Sequence, residues 1–151
     1  MRAFLIDPEE EVVIEIDVEP GLRNIYDQVG GGPIDIVRLN DTGDVIYIDD
    51  NGLYRQNHFF ALRDFLHPIA GPGLVLGTDS EGDTTDTTFT DSTVIADLIT
   101  WITPEEALTR AREADRQTEE AIAARQGDGW AHVHISSAEI LESREYTNDP
   151  F

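Results

Sequence analysis

The chain reads as a single α+β domain spanning 1–151. A mixed or antiparallel sheet comes from its first half and is covered by one packed helix, with helices from the second half appended. Three observations predict this. Short apolar runs bounded by turn residues crowd residues 2–78. One helical periodicity, near residues 20–30, interrupts them. From residue 103 the pattern lengthens to helical spacing with recognisable caps. A chain of 151 residues is long enough to bury a core of its own.

"AFLID" is a short apolar strand ending at Asp7-Pro8. In "VVIEIDV", Val12, Ile14, Ile16 and Val18 alternate with Glu15 and Asp17, and the intervening "PEEE" is a turn, so the two segments predict a hairpin. "EPGLRNIYDQVGGG" follows. Pro20 suits the first turn of a helix, Leu22, Ile25, Tyr26 and Val29 recur at helical spacing, and Gly30 suits the stop. "IDIVRL" and "DVIYIDD" are further strands. Asn51-Gly52 is a strong hairpin signal, which predicts that "LYR" pairs back, with Asp49 and Asp50 as part of the turn. "QNHFFALRDFLHPIAGP" is irregular and reads as a loop whose aromatics plug the core. "GLVLGTD" reads as a buried strand.

The second half is predicted as a helical extension, residues 91–151, with one short strand. In "DSTVIADLITWI", Val94, Ile95, Leu98, Ile99 and Ile102 fit a short amphipathic helix, with a strand as the alternative for the last third. "TPEEALTRAREADRQTEEAIAARQG" is the clearest helix. Thr103 and Glu106 form a capping box, Pro104 takes the first helical position, and Gly127 ends it. Only Leu108 and Ile122 are large apolar residues on its inner side. Glu106–Arg110, Arg116–Glu120 and Arg112–Asp115 are spaced for ion pairs. The bland reading is an exposed, ion-paired helix; the alternative is a helix that pairs with a second copy in a homodimer. "WAHVHIS" alternates as a strand, and Ser136 with Glu139 caps a final helix.

Charge is the loudest feature. Thirty-one acidic residues face ten basic ones, all Arg, for a net charge of −21. The excess is spread along the chain. A folded chain of this mass exposes roughly 7,600 Å², or about one net charge per 360 Å², against about one per 110 Å² for duplex DNA. Such a protein resembles nucleic acid only if folding or dimerisation gathers its carboxylates on one face. Direct nucleic-acid binding by the whole surface is disfavoured, because phosphate contacts need Lys or Arg. Three roles for the charge compete: solvation, as in a high-salt cytoplasm; recognition of a basic or nucleic-acid-binding protein; and cation binding. No membrane-length apolar run and no signal peptide is present, so a cytoplasmic protein without membrane partners is expected. The lack of Cys removes thiolate and disulfide chemistry.

Several stretches carry a resemblance. "FLIDPEEEVVIEIDV", "GLRNIYDQVGG", "IDIVRL", "DVIYIDDNGL", "NHFF" and "GLVLGTDSEGDTTD", in that order, resemble a small family of domains of unknown function, DUF3846, carried by phages, plasmids and other mobile elements. The resemblance covers roughly residues 1–90 as a sheet core. It implies a fold and no catalytic residues. By analogy with acidic proteins that mimic DNA to inhibit restriction or CRISPR systems, it implies an accessory factor that meddles with host machinery.

Candidate sites are few. "GPGLVLG" is not a dinucleotide fingerprint, and without Lys no phosphate loop exists. "DSEGDTTD" superficially matches a calcium loop, but Gly82 breaks the alternation of Asp79, Glu81 and Asp83, and the twelfth position is Thr90. The loop is thus a solvated turn that can hold an acidic lobe of a binding surface. Asp79, Glu81, Asp83, Asp86, Asp91 and Asp97 make it the longest uncompensated acidic region, with no Arg between residues 64 and 109. His132 and His134 share one face of a predicted strand and are the candidate metal ligands, with His58, His67, Asp128 or Glu139 as a third; two exposed histidines on a strand are the commoner case. No triad motif is marked, and no cofactor is called for. The leading expectation is a non-enzymatic accessory protein that binds a partner through acidic surface. The alternatives are a metal-binding protein or metal enzyme using His132 and His134, and a solvated halophile domain with no charge-based role.

Overall fold

The computed structural model describes residues 1–125 and 136–144. In chain order the elements are β1 (Arg2–Asp7), β2 (Val12–Asp17), α1 (Leu22–Gln28), β3 (Ile34–Arg38), β4 (Val45–Asp49), α2 (Gly52–Arg55) and β5 (Phe59–Leu62). They continue as β6 (Phe65–Ala70), β7 (Gly73–Thr78), β8 (Thr84–Thr85), α3 (Ser92–Ala96), β9 (Ile99–Ile102), α4 (Pro104–Arg125) and α5 (Ser137–Glu142). The α+β class holds, and the strands divide into two sheets. The larger runs β2-β1-β7-β4-β3 with β8 added to β7; the smaller runs β6-β5-β9. Among the described residues every pairing is antiparallel.

Strand alternation assigns the layers. One face of the large sheet presents Ala3, Val45, Tyr47, Leu74 and Leu76, and is covered by Ile25 of α1 and by Val29, the residue that follows the helix. The other face presents Phe4, Ile6, Ile46 and Val75, and packs on Phe60, Leu62 and Ile69 of the small sheet. The far side of the small sheet, with Phe59 and Ala70, packs on Ala107 and Ala111 of α4 and on Ala138 and Leu141 of α5. The order is therefore helix, sheet, sheet, helices. Alanines on α4 let that helix approach the strands closely.

Four sequence expectations change. First, Asn51-Gly52 does not make a hairpin; Gly52–Arg55 is a short helix. β4 already has β3 and β7 on its two edges, so no edge remains for a returning strand. Second, residues 59–70 are a hairpin rather than a loop. "FFAL" is buried on both faces because its sheet is covered on both sides, which explains a run without alternation. Pro68 is tolerated because β6 is an edge strand. Third, the helix in "DSTVIADLITWI" ends at Ala96, and its last third is strand β9 paired to β5, the alternative foreseen for it. Fourth, Pro20 lies before α1, whose N-cap is Gly21.

Other details follow the sequence. Thr103 and Glu106 exchange the two hydrogen bonds of a capping box, each at 3.1 Å. Ser136 accepts from the Glu139 N–H at 3.0 Å and caps α5. The C-terminal stop expected at Gly127 and the "WAHVHIS" strand lie outside the described residues.

Candidate functional site

The acidic stretch begins where β7 leaves the centre of the large sheet. Asp79 Oδ1 accepts from the N–H groups of Glu81 and Asp83, both at 2.9 Å, and Gly82 supplies the left-handed residue (φ 86°) that closes the turn. The chain returns as β8, pairing Thr84 with Thr78 and Thr85 with Gly77. It then crosses the end of β1: Asp86 Oδ1 accepts from the Arg2 N–H at 2.9 Å, and the Thr87 N–H donates to the Arg2 carbonyl at 3.0 Å. Asp91 Oδ1 accepts from the Thr93 N–H at 2.9 Å as the N-cap of α3. That backbone bond, with the Thr93 hydroxyl, holds the Asp91 carboxyl below the usual carboxylate range.

The six named carboxylates, Asp79, Glu81, Asp83, Asp86, Asp91 and Asp97, are all exposed. Among the described residues none forms an ion pair. Three of them bond backbone N–H groups, so they set the shape of the segment while keeping their charge. Among the described residues, Arg63 reaches this segment through the Asp97 backbone carbonyl, at 2.9 Å, and through none of its carboxylates.

A buried carboxylate fastens the segment to the fold. Asp44 has no exposed surface. It accepts from Thr87 Oγ1 at 2.8 Å, from the Thr88 N–H at 2.9 Å, from Thr88 Oγ1, and from Asn40 Nδ2 at 3.0 Å. Burial pushes its carboxyl up, but the Thr88 hydroxyl, Asn40 and the other donors outweigh this and leave it below its ordinary value. The "NDTGD" turn that presents it is shaped by Asn40 Oδ1, which accepts from the Thr42 and Asp44 N–H groups. Nothing local in the sequence links residue 44 to residues 87 and 88.

Asp49, expected as part of a hairpin turn, is instead a buried hub. Its carboxylate accepts from Arg55 Nε at 2.8 Å, Gln56 Nε2 at 3.0 Å and the Asn51 N–H at 2.9 Å. Burial raises its carboxyl, and the Arg55 and Gln56 bonds more than offset this, so it too sits low. Arg55 also donates to the Gly30 carbonyl at 3.0 Å, tying α1 to α2. Asp50 is exposed.

On α4 the expected ion pairs are redistributed. Arg116 pairs with Glu120 at 2.6 Å, as spaced, and also with Glu113. Arg112 pairs with Glu142 of α5 at 2.9 Å instead of with Asp115. Asp115 is buried and accepts from the Ser137 and Ala138 N–H groups at 3.0 and 2.8 Å, satisfying the free donors at the start of α5. Glu106 is used in its capping box, and Arg110 donates to the Phe65 carbonyl at 3.2 Å, so the Glu106–Arg110 pair is absent.

The metal candidates His132 and His134, and Asp128, lie outside the described residues. Among the described residues no group of three or more His, Asp or Glu side chains is placed to hold a metal ion. His67 instead meets Ser137 Oγ through Nδ1 at 3.5 Å, and His58 is exposed. Among the described residues no helix is long and apolar enough to cross a membrane.

Neither a curated protein nor a solved structure matches the chain. The domain of unknown function DUF3846 does match, over residues 1–99, which takes in the whole large sheet, β5 and β6 of the small sheet and only the first residue of β9, and includes the whole acidic segment. That match spans the greater part of the sequence, and the chain belongs to the DUF3846 family.

Proposed function

We propose that this protein is a non-enzymatic, acidic accessory factor that binds a basic protein through the surface formed by residues 79–97. One observation carries the reading: six exposed carboxylates stand on a segment anchored by buried hydrogen bonds, and none is neutralised by an ion pair among the described residues. Charges left unpaired on a fixed scaffold act at long range and speed encounter with an oppositely charged partner. A segment that served only solubility would not need the buried Asp44–Thr87 anchor.

The partner class is a basic or nucleic-acid-binding protein, and the surface would meet it as a nucleic-acid backbone does. The resemblance of the chain to domains carried by phages and plasmids supports a cytoplasmic role against host machinery, including inhibition of host defence. The test is affinity capture from a host lysate at moderate salt, with wild type beside a variant carrying Asp79→Asn, Glu81→Gln, Asp83→Asn and Asp86→Asn. Basic proteins retained by wild type and lost by the variant support the reading. Retention of the same proteins by both would overturn it.

A further inference from the structure

Carboxylates outnumber the arginines of this chain threefold, yet Arg63 and Arg110, which share one cavity, are among the arginines that pair with no carboxylate among the described residues. Arg63 and Arg110 both line a cavity of about 420 Å³ between the β5–β6 turn, the start of β9 and α4. Among the described residues neither forms an ion pair. Each guanidinium donates to a backbone carbonyl only: Arg63 Nη2 to Asp97 at 2.9 Å, and Arg110 Nη2 to Phe65 at 3.2 Å. Arg110 Nε is buried and has no hydrogen-bond partner among the described residues. A guanidinium carries five N–H donors in a fixed fork, and a buried donor left unsatisfied is costly.

From this geometry we infer an oxyanion site, in which a carboxylate or phosphate group enters the cavity and accepts from the free edges of Arg110 and Arg63. Each guanidinium gives one Nη2 bond to its carbonyl and keeps further Nη donors, which can bind the oxygens of either group. The backbone carbonyls hold both side chains without neutralising them, so the positive charge is retained for a ligand. Asp64, in left-handed backbone at φ 63°, closes the two-residue turn that carries Arg63. Asp64 and Asp97 also line the cavity and are exposed. Their charge opposes an anion from solvent, so the site accepts a small oxyanion that reaches the guanidinium groups in contact and discriminates against anions held at a distance. The site borders the acidic surface at Asp97, but its donors, Arg63 and Arg110, lie outside that surface.

The test is an NMR titration of the full chain, following the arginine Nε–H signals. Sodium phosphate, sodium acetate and sodium chloride are added in separate arms at matched ionic strength, which removes general screening. A saturable shift of the Arg110 signal with phosphate or acetate, absent with chloride, is expected; the tighter arm identifies which oxyanion the site takes. Arg110→Gln should weaken that binding by roughly tenfold or more, as loss of a charge-assisted bidentate contact does. Arg23→Gln, on the exposed side of α1, should leave it unchanged. Shifts that stay linear, or that chloride reproduces, would overturn the site. So would an Arg110→Gln protein that binds as wild type does. The wild-type titration decides the matter even if that variant fails to fold.

Discussion

The hydroxyl of Thr87 donates to the buried carboxylate of Asp44 at 2.8 Å, across 43 residues of chain. This contact fixes the acidic segment to the β3–β4 turn. Asp44→Ala removes an ionised acceptor and strands several donors, the Thr88 N–H among them. The expected loss is about 3 kcal/mol. Urea unfolding at neutral pH checks it. Thr87→Val, which removes one donor and keeps the shape, should cost about 1 kcal/mol.

The same residue gives a pH signature. The carboxyls of Asp44 and Asp49 sit lower folded than unfolded. The unfolded chain therefore binds protons first as pH falls, and this protonation favours unfolding. The stability they contribute is fully present above the unfolded carboxylate value of about 3.9 and is lost as pH drops through their lower folded values. Unfolding free energy measured from pH 6 to pH 2 should fall less steeply in Asp44→Asn than in wild type. Parallel curves would show that the Asp44 carboxyl titrates alike in the folded and unfolded chain.

Two glycines with left-handed backbone separate strain from crowding. Gly43 (φ 100°) would place a Cβ 2.6 Å from the Thr78 carbonyl oxygen, while Gly82 (φ 86°) has open space around it. Gly82→Ala should cost about 1 kcal/mol, the conformational penalty alone. Gly43→Ala should cost clearly more, because backbone must move. Denaturation midpoints of the two variants check the order.

Much of the first half was legible because its strands alternate. Val12–Asp17 reads directly from period-two pattern and turn chemistry, and Ile34–Arg38 from its short apolar run. The small sheet was not legible, since covering both faces of Phe59–Leu62 erases the alternation that marks a strand. The Asn51-Gly52 signal misled because a local turn preference does not record that both edges of β4 are taken. Within the site, the six exposed acids are plain in the sequence. Their anchors are not: Asp44 meets Thr87 and Thr88, and Asp115 caps Ser137 and Ala138, through contacts between distant segments that no spacing rule encodes.

On the helical layer, geometry ranks two acidic contacts. The Arg112–Glu142 pair is exposed on both sides, and Arg112→Ala should cost at most about 0.5 kcal/mol. Asp115→Ala removes a buried acceptor from two N–H groups at the start of α5 and should cost about 2 kcal/mol. Thermal unfolding of the two single variants distinguishes them.

A net charge of −21 implies self-repulsion in the folded state. The melting temperature should therefore rise between about 0.05 M and 1 M salt, as the screening length shortens to roughly 3 Å. A flat or falling profile would show that the carboxylates are too well separated to repel.

The most direct measurement is the association rate with a captured basic partner as a function of salt, for two variants of equal charge change. One carries Asp79→Asn, Glu81→Gln, Asp83→Asn and Asp86→Asn; the amide replacements keep the Oδ1 acceptors that shape the turn. The other carries Glu9→Gln, Glu10→Gln, Glu11→Gln and Glu15→Gln, at the first hairpin. If residues 79–97 form the binding face, the first variant should associate several-fold more slowly and show a shallower salt dependence, while the second stays close to wild type. Equal slowing by both variants would make the effect one of overall charge, and an unchanged rate in both would contradict charge-driven binding altogether.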